Sequence, residues 1–113
     1  MRVLFDQGTP VPLRRALPGH QVETAHERGW SRLQNGALLS AAEASGFDVF
    51  VTTDRNLKYQ QHLVGRKLAI VVLLSTSWPR IRQALSAVSS AIDAASAGTY
   101  REIAIPEIDD RGA

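Results

Sequence analysis

The run LAIVVLL at 68–74 contains no polar residue, and Ile and Val stand at its centre. A half-exposed strand would alternate apolar with polar positions, so an unbroken run of this length suits a strand buried on both faces. Strands of that kind belong to parallel sheets, because the crossovers between parallel strands lay helices over both faces. The run is also far shorter than the ~20 residues a membrane-spanning helix needs. This segment therefore restricts the chain to a layered α/β arrangement.

The other segments fit that frame. VLF at 3–5 is a short apolar run stopped by Asp6, Gln7 and Gly8. Leu13, Ala16 and Leu17 recur at helical spacing and Pro12 suits a first turn, which predicts a short helix over 11–17. A Pro-Gly turn leads into a second strand at about 20–25, and 25–34 is a loop without periodicity. Asn35 precedes GALLSAAEASG, read as a helix with an Asn cap at one end and a Gly46 stop at the other. DVFVTTD at 48–54 is a strand rich in β-branched residues. NLKYQQHLVG after it is a short helix or turn, with Leu57, Gln61 and Val64 along one side.

Ser77 caps the last long helix and Pro79 enters its first turn. Ile81, Leu85, Val88, Ile92 and Ala95 form its apolar stripe, and Gly98 ends it. YREIAIP at 100–106 alternates as an edge strand, and 107–113 reads as a frayed tail on a single domain 1–106. Alternation of strand and helix predicts a three-layer α/β/α fold with a doubly wound, mostly parallel sheet. Right-handed crossovers make 2-1-3-4-5 the natural strand order.

In such a sheet ligands bind beyond the carboxyl ends of the strands, where the strand order reverses. That point lies between the first and third strands, which end at Asp6 and Asp54. Adjacent strands are ~4.8 Å apart, so two carboxylates distant in sequence are expected across one crevice. Asn35 opens its helix at the same edge, whereas Glu43 lies roughly 12 Å further down the axis at ~1.5 Å per residue. Asn56 follows Asp54 by two, and Ser75 and Thr76 leave the fourth strand beside it. Two close carboxylates raise each other's pKa unless a cation sits between them. A hard divalent ion such as Mg²⁺, held by one or two carboxylates, waters and substrate phosphate oxygens, meets that need and suits phosphodiester hydrolysis.

Every one of these residues also has a plain structural role. Aspartate after a strand is a common turn-former, and Asn35 serves as a helix cap. His20 is a packed or edge residue, and His26 and His62 are loop residues without metal-ligand spacing. The cations carry more information. Thirteen Lys+Arg against eleven Asp+Glu leave only +2. Yet most of Arg14, Arg15, Arg28, Arg32, Arg55, Lys58, Arg80 and Arg82 fall in segments at or near the strand carboxyl edge, where they would hold a phosphate backbone or stand as solvated surface charges. Trp30 and Tyr59 are candidates for stacking on bases, or for plugging a loop. The absence of cysteine removes disulfide and thiolate-metal chemistry. MRVLFDQG lacks the pattern of a secretory leader, so a soluble cytoplasmic protein is expected.

VLFDQGTP, the GW…LQNGALLSAAEASGFDV segment and VTTDRNL followed by a hydrophobic strand together resemble the short PIN-like proteins, a branch of the PIN-domain nuclease superfamily, over roughly residues 1–75. Many of those proteins occur in bacterial toxin–antitoxin pairs. The resemblance implies a ribonuclease dependent on Mg²⁺ or Mn²⁺, with RNA as substrate, an antitoxin protein as possible partner and a homodimer as possible assembly. Asp6 and Asp54 match acidic positions of the family and would hold the metal. Gln7, Asn35 and Asn56 stand where relatives carry further acids. On this reading Asn35 and Asn56 position water or the scissile phosphate, and Gln7, Arg55, Lys58 and Ser75 contact substrate.

Two alternatives stay open. Amides coordinate without contributing charge, so a PIN-like module that binds RNA or protein without cleaving it is the second reading. Receiver-type phosphoacceptor domains also place aspartates after the first and third strands and a Ser/Thr after the fourth. They need a further acid near Asp6 and a lysine ending the fifth strand, and EIAIPEI has none.

Overall fold

A computed structural model of the chain describes residues 1–60, 63 and 65–107, without the side chains of 59 and 60. Strand β1 (Arg2–Phe5) leads through a 3₁₀ helix (Val11–Ala16) to β2 (Gln21–Thr24), and helix α1 (Asn35–Ala44) leads to β3 (Val49–Thr52). Then come α2 (Leu57–Gln60), β4 (Ala69–Leu73), α3 (Trp78–Arg82), α4 (Leu85–Asp93) and β5 (Tyr100–Ile103). The strands form one sheet in the order β2-β1-β3-β4-β5, parallel throughout. The doubly wound 2-1-3-4-5 arrangement is therefore present, with its reversal between β1 and β3.

The period-2 alternation of strand side chains divides the core into two halves. Val3, Phe5, Val49, Val51, Val71 and Leu73 face one side, where Leu13 and Leu17 meet Ile81, Val88 and Ile92 of α3 and α4. Leu4, Phe50, Ile70 and Val72 face the other, against Leu38, Leu39 and Ala42 of α1, with Phe47, Leu57 and Leu68. All five residues of β4 are buried, as its unbroken apolar run requires. Each fully buried Leu, Ile or Phe contributes ~1.5–3 kcal/mol by leaving water, so the two layers share the work of holding the sheet.

Three local expectations are corrected. The 11–17 segment is a 3₁₀ rather than an α-helix, with Pro10 at its cap and Pro12 inside the first turn. The long final helix is two helices, because Ala84 leaves helical geometry at φ −116, ψ 21, and the second stops at Asp93, short of Gly98. Ile81, Val88 and Ile92 nevertheless stay on one buried face, so the stripe survives the break. Asn35 is not the cap of α1: Gln34 holds that position without a side-chain bond, and Asn35 is the first helical residue. Two other signals hold. Ser77 caps α3, accepting from the Arg80 N–H. Gly46 stops α1 with φ +82, after which the Phe47 N–H donates back to the Ala42 carbonyl at 3.0 Å, a closure that favours glycine.

Gln61, His62 and Val64, and the tail from 108 onward, lie outside the described residues. Among the described residues no helix is long and apolar enough to cross a membrane.

Candidate functional site

The register explains what stands at the switch point. Phe5 pairs with Val51, so Asp6, one residue on, comes level with Thr52. Asp54 lies two residues further along its strand's path, ~6.6 Å of extended chain. The two acids are therefore out of step, and a buried hydroxyl links the Asp6 carboxylate to the Asp54 backbone. The Thr52 hydroxyl donates to Asp6 Oδ2 and accepts the Asp54 N–H at 3.0 Å. Thr52 is 1 % exposed, so water cannot substitute for either bond.

The rest of the network fixes both acids. The Thr9 hydroxyl lies 2.7 Å from Asp6 Oδ1 and 3.0 Å from the Val51 carbonyl, and its single proton serves one acceptor at a time. Asp54 Oδ1 accepts the Asn56 N–H at 2.9 Å, the turn expected of an aspartate after a strand. Asp54 Oδ2 accepts from Asn35 Nδ2 at 3.1 Å. Asn35 was expected to cap its own helix, and it reaches across to a carboxylate instead. Asp54 thus forms its turn and also belongs to a chain Asp6–Thr52–Asp54–Asn35 that spans two strands and a helix start.

Burial raises the Asp6 carboxyl above its ordinary 3.8, against the opposing pull of the Thr52 and Thr9 hydroxyls and of the Thr9 and Gly8 N–H groups. The folded protein therefore binds this proton more tightly than the unfolded chain does. That contribution to stability is present at low pH and is lost as pH rises from 3.8 through the raised value. Asp6→Asn removes the buried charge and should favour the variant most at neutral pH, an advantage offset in part by an amide nitrogen that faces the donors around Asp6. The gap between the variant and the wild type should narrow as pH falls towards 4. Thermal melts of both proteins across that range check it, and a gap independent of pH would contradict the buried-charge explanation.

Gly8 approaches the sheet closely here. A Cβ at this position would lie 2.6 Å from Thr53 Oγ1, a stiff β-branched side chain. Gly8→Ala should cost about 1–2 kcal/mol, and Thr53→Ala in the same chain should recover most of it. A double-mutant cycle by denaturant unfolding measures this coupling; additivity of the two changes would mean the approach is not tight.

Of the other candidates, Gln7 is exposed and donates from Nε2 to the Ser31 carbonyl at 3.0 Å, tying down the 25–34 loop. Arg55 donates to the Leu74 carbonyl at 2.6 Å. Lys58 is ion-paired with Glu102 at 3.1 Å and lies over the Tyr100 ring, so it braces α2 against β5. Ser75 Oγ accepts the Ser77 N–H at 3.0 Å. Trp30 packs edge-on against Phe47 and is covered by Arg28, the plugging role. Glu43 binds Arg66 at 2.6 Å and lines a hollow with Gly46, Asp48 and Lys67, near none of the site residues.

The site opens into three concavities. Asp6 and Gln7 line a cleft of about 650 Å³ that also includes Thr9, Arg14, His26 and Glu27. Asp6 and Asn35 share a small hollow of about 160 Å³. Asp54, Arg55, Asn56 and Ser75 line a third of about 480 Å³. Missed in the sequence were Thr9 and Thr52, since a threonine in a strand carries no signal until the register shows its neighbour. Among the described residues no three His, Cys, Asp or Glu side chains converge as metal ligands. The oxygen donors present are two carboxylates with amide and hydroxyl oxygens around them; Asp54 accepts one bond on each oxygen, whereas Asp6 is drawn on by two hydroxyls and two N–H groups, some of which an ion would have to displace. Such a set suits a hard, largely hydrated cation and not a protein-enclosed one. No protein-family model, curated protein or solved structure matches this chain.

Proposed function

We propose that the chain is a PIN-like ribonuclease that depends on Mg²⁺ or Mn²⁺, acting at the carboxyl ends of β1 and β3. The observation that supports this most is the hydrogen-bonded chain Asp6–Thr52–Asp54–Asn35 at the sheet's switch point. It orients two carboxylates from separate strands towards open concavities, one of them at the expense of burying charge. Asp6 and Asp54 would hold the ion. When bound, such an ion lowers the pKa of water and offsets charge on phosphoryl oxygens.

The chain's own residues do the positioning. Thr52 gives its proton to Asp6 and takes the Asp54 N–H, which fixes the spacing of the two acids. Asn35 aims Asp54 through Oδ2, and the backbone of Asn56 holds Oδ1. The exposed side chain of Asn56 is left to meet substrate, and Gln7, tied to Ser31 through Nε2, offers it Oε1. Ligand carboxyls must be deprotonated, so ion affinity and turnover should both rise with pH through the acid range as Asp6 ionises. Association with an antitoxin protein, and a toxin role, belong to the same proposal.

A second reading has its own support. With amides at 7, 35 and 56, few charges remain to hold an ion, and no cluster of three metal-binding side chains stands among the described residues. A PIN-like module that binds RNA or a protein without cleavage would keep this architecture. Incubating single-stranded RNA with the protein and millimolar Mn²⁺, with EDTA and Asp6→Asn as controls, separates the two. Cleavage abolished by both controls supports the ribonuclease; the same RNA turnover in Asp6→Asn as in wild type sinks it.

A further inference from the structure

The concavities on the two sides of the acid chain differ in charge. On the β2 side, Asp6 and Glu27 outnumber Arg14, which is itself ion-paired to Glu27. On the β4 side, Arg55 and Arg80 outnumber Asp54. Among the described residues neither of those two guanidiniums lies within ion-pair distance of a carboxylate, whereas Lys58 and Arg28 are both paired. Arg55 is anchored at the rim by its bond to the Leu74 carbonyl and its charge is also felt by Glu102, and among the described residues its other guanidinium donors have no hydrogen-bond acceptor.

The hydroxyls fit the same pattern. Ser75 Oγ accepts the Ser77 N–H, and among the described residues the Ser75 proton has no acceptor. Thr76 is exposed beside it. Two cationic forks and two hydroxyl donors thus converge on a hollow of about 480 Å³ that reaches Asp54 and Asn56. Planar guanidiniums bind phosphate oxygens with two parallel bonds, and hydroxyl donors complete such a cradle.

We infer that this hollow, with Arg55 and Arg80 as its charged ligands and Ser75 and Thr76 as donors, holds a backbone phosphate of an RNA strand next to the one presented to Asp54. The inference rests on the ribonuclease reading for the direction of the strand, from the cationic hollow across Asp54 and Asn35 towards Asp6. It assigns a role to Arg80 and Thr76 and withdraws one from Lys58, whose charge is spent on Glu102.

The test measures binding without cleavage. Fluorescence anisotropy of a labelled single-stranded RNA decamer is followed in EDTA at several salt concentrations. Arg80→Gln and Arg55→Gln should each weaken binding about 5- to 10-fold and lower the salt slope by about 1, the signature of one lost phosphate contact. Arg80→Lys should regain most of the affinity. Lys67→Gln removes the same charge from the hollow shared with Glu43 and should change nothing. Far-UV circular dichroism and Tm confirm that each variant is folded. Wild-type affinity and slope in both arginine variants, an equal loss in Lys67→Gln, or no RNA binding by the wild type overturns the inference. So does a response to inorganic phosphate at the amides of Asn56, Ser75 and Thr76 that RNA does not reproduce, since the source would then be a free anion. Loss of binding in the arginine variants of a protein that never cleaves RNA would leave the hollow standing and the ribonuclease refuted. Metal-dependent cleavage with KM unmoved by Arg80→Gln would do the reverse.

Discussion

Asp54→Asn is expected to lower metal-dependent RNA cleavage by about 1,000-fold or more, equivalent to ~4 kcal/mol of transition-state stabilisation. The change is nearly isosteric, and its effects combine. One of only two carboxylates is lost, and the new amide nitrogen opposes the Asn35 Nδ2 that now donates to Oδ2. Two donors cannot satisfy each other, so Asn35 must turn or the side chain must swing away. The Asn56 N–H bond to Oδ1 can survive through the amide oxygen, which keeps the turn and the fold. Activity should therefore fall far more than stability. Single-turnover cleavage assays beside thermal melts check this, and a fully active Asp54→Asn would mean that the carboxylate serves only its turn.

Thr52→Val should combine the opposite proportions, a large loss of stability with a smaller loss of activity. Valine fills the same space but removes a donor to Asp6 and an acceptor for the Asp54 N–H in one step. Thr52 is buried and its two partners are half-buried, and an unmet buried polar group costs about 1–3 kcal/mol. A loss of about 3 kcal/mol, or ~10 °C in Tm, is expected. Activity should drop 10- to 100-fold, the usual effect of removing a group that orients a metal ligand. Thr52→Ser keeps the hydroxyl and should restore most of the activity. If valine and serine behave alike, the hydroxyl bridge is incidental.

The fold was largely legible because its signals are local or periodic. An unbroken apolar run gave β4, strand–helix alternation gave the parallel sheet, and the handedness of crossovers gave the strand order. The break at Ala84 was not legible, since IRQALSAV carries no Gly or Pro to mark it. That Asp6 and Asp54 lie near one switch point followed from topology alone, which is why the two could be paired from segments 48 residues apart. Its internal wiring could not be read. Whether Asn35 caps a helix or grips Asp54 depends on a one-residue shift of the helix start, and boundaries are the least certain part of any sequence reading. Thr52 was hidden for another reason: only the register Phe5–Val51 puts its hydroxyl level with Asp6. Lys58 was hidden in the same way: its ion pair with Glu102 joins α2 to β5, which no local pattern announces.

Manganese titration followed by paramagnetic broadening of amide NMR signals tests the central proposal most directly. A metal-dependent nuclease with Asp6 and Asp54 as ligands gives selective broadening at Asp6, Asn35, Thr52 and Asp54 at sub-millimolar to millimolar Mn²⁺, lost in Asp6→Asn. Absence of broadening there at millimolar Mn²⁺, or broadening centred instead on Glu43 and Asp48, would contradict it.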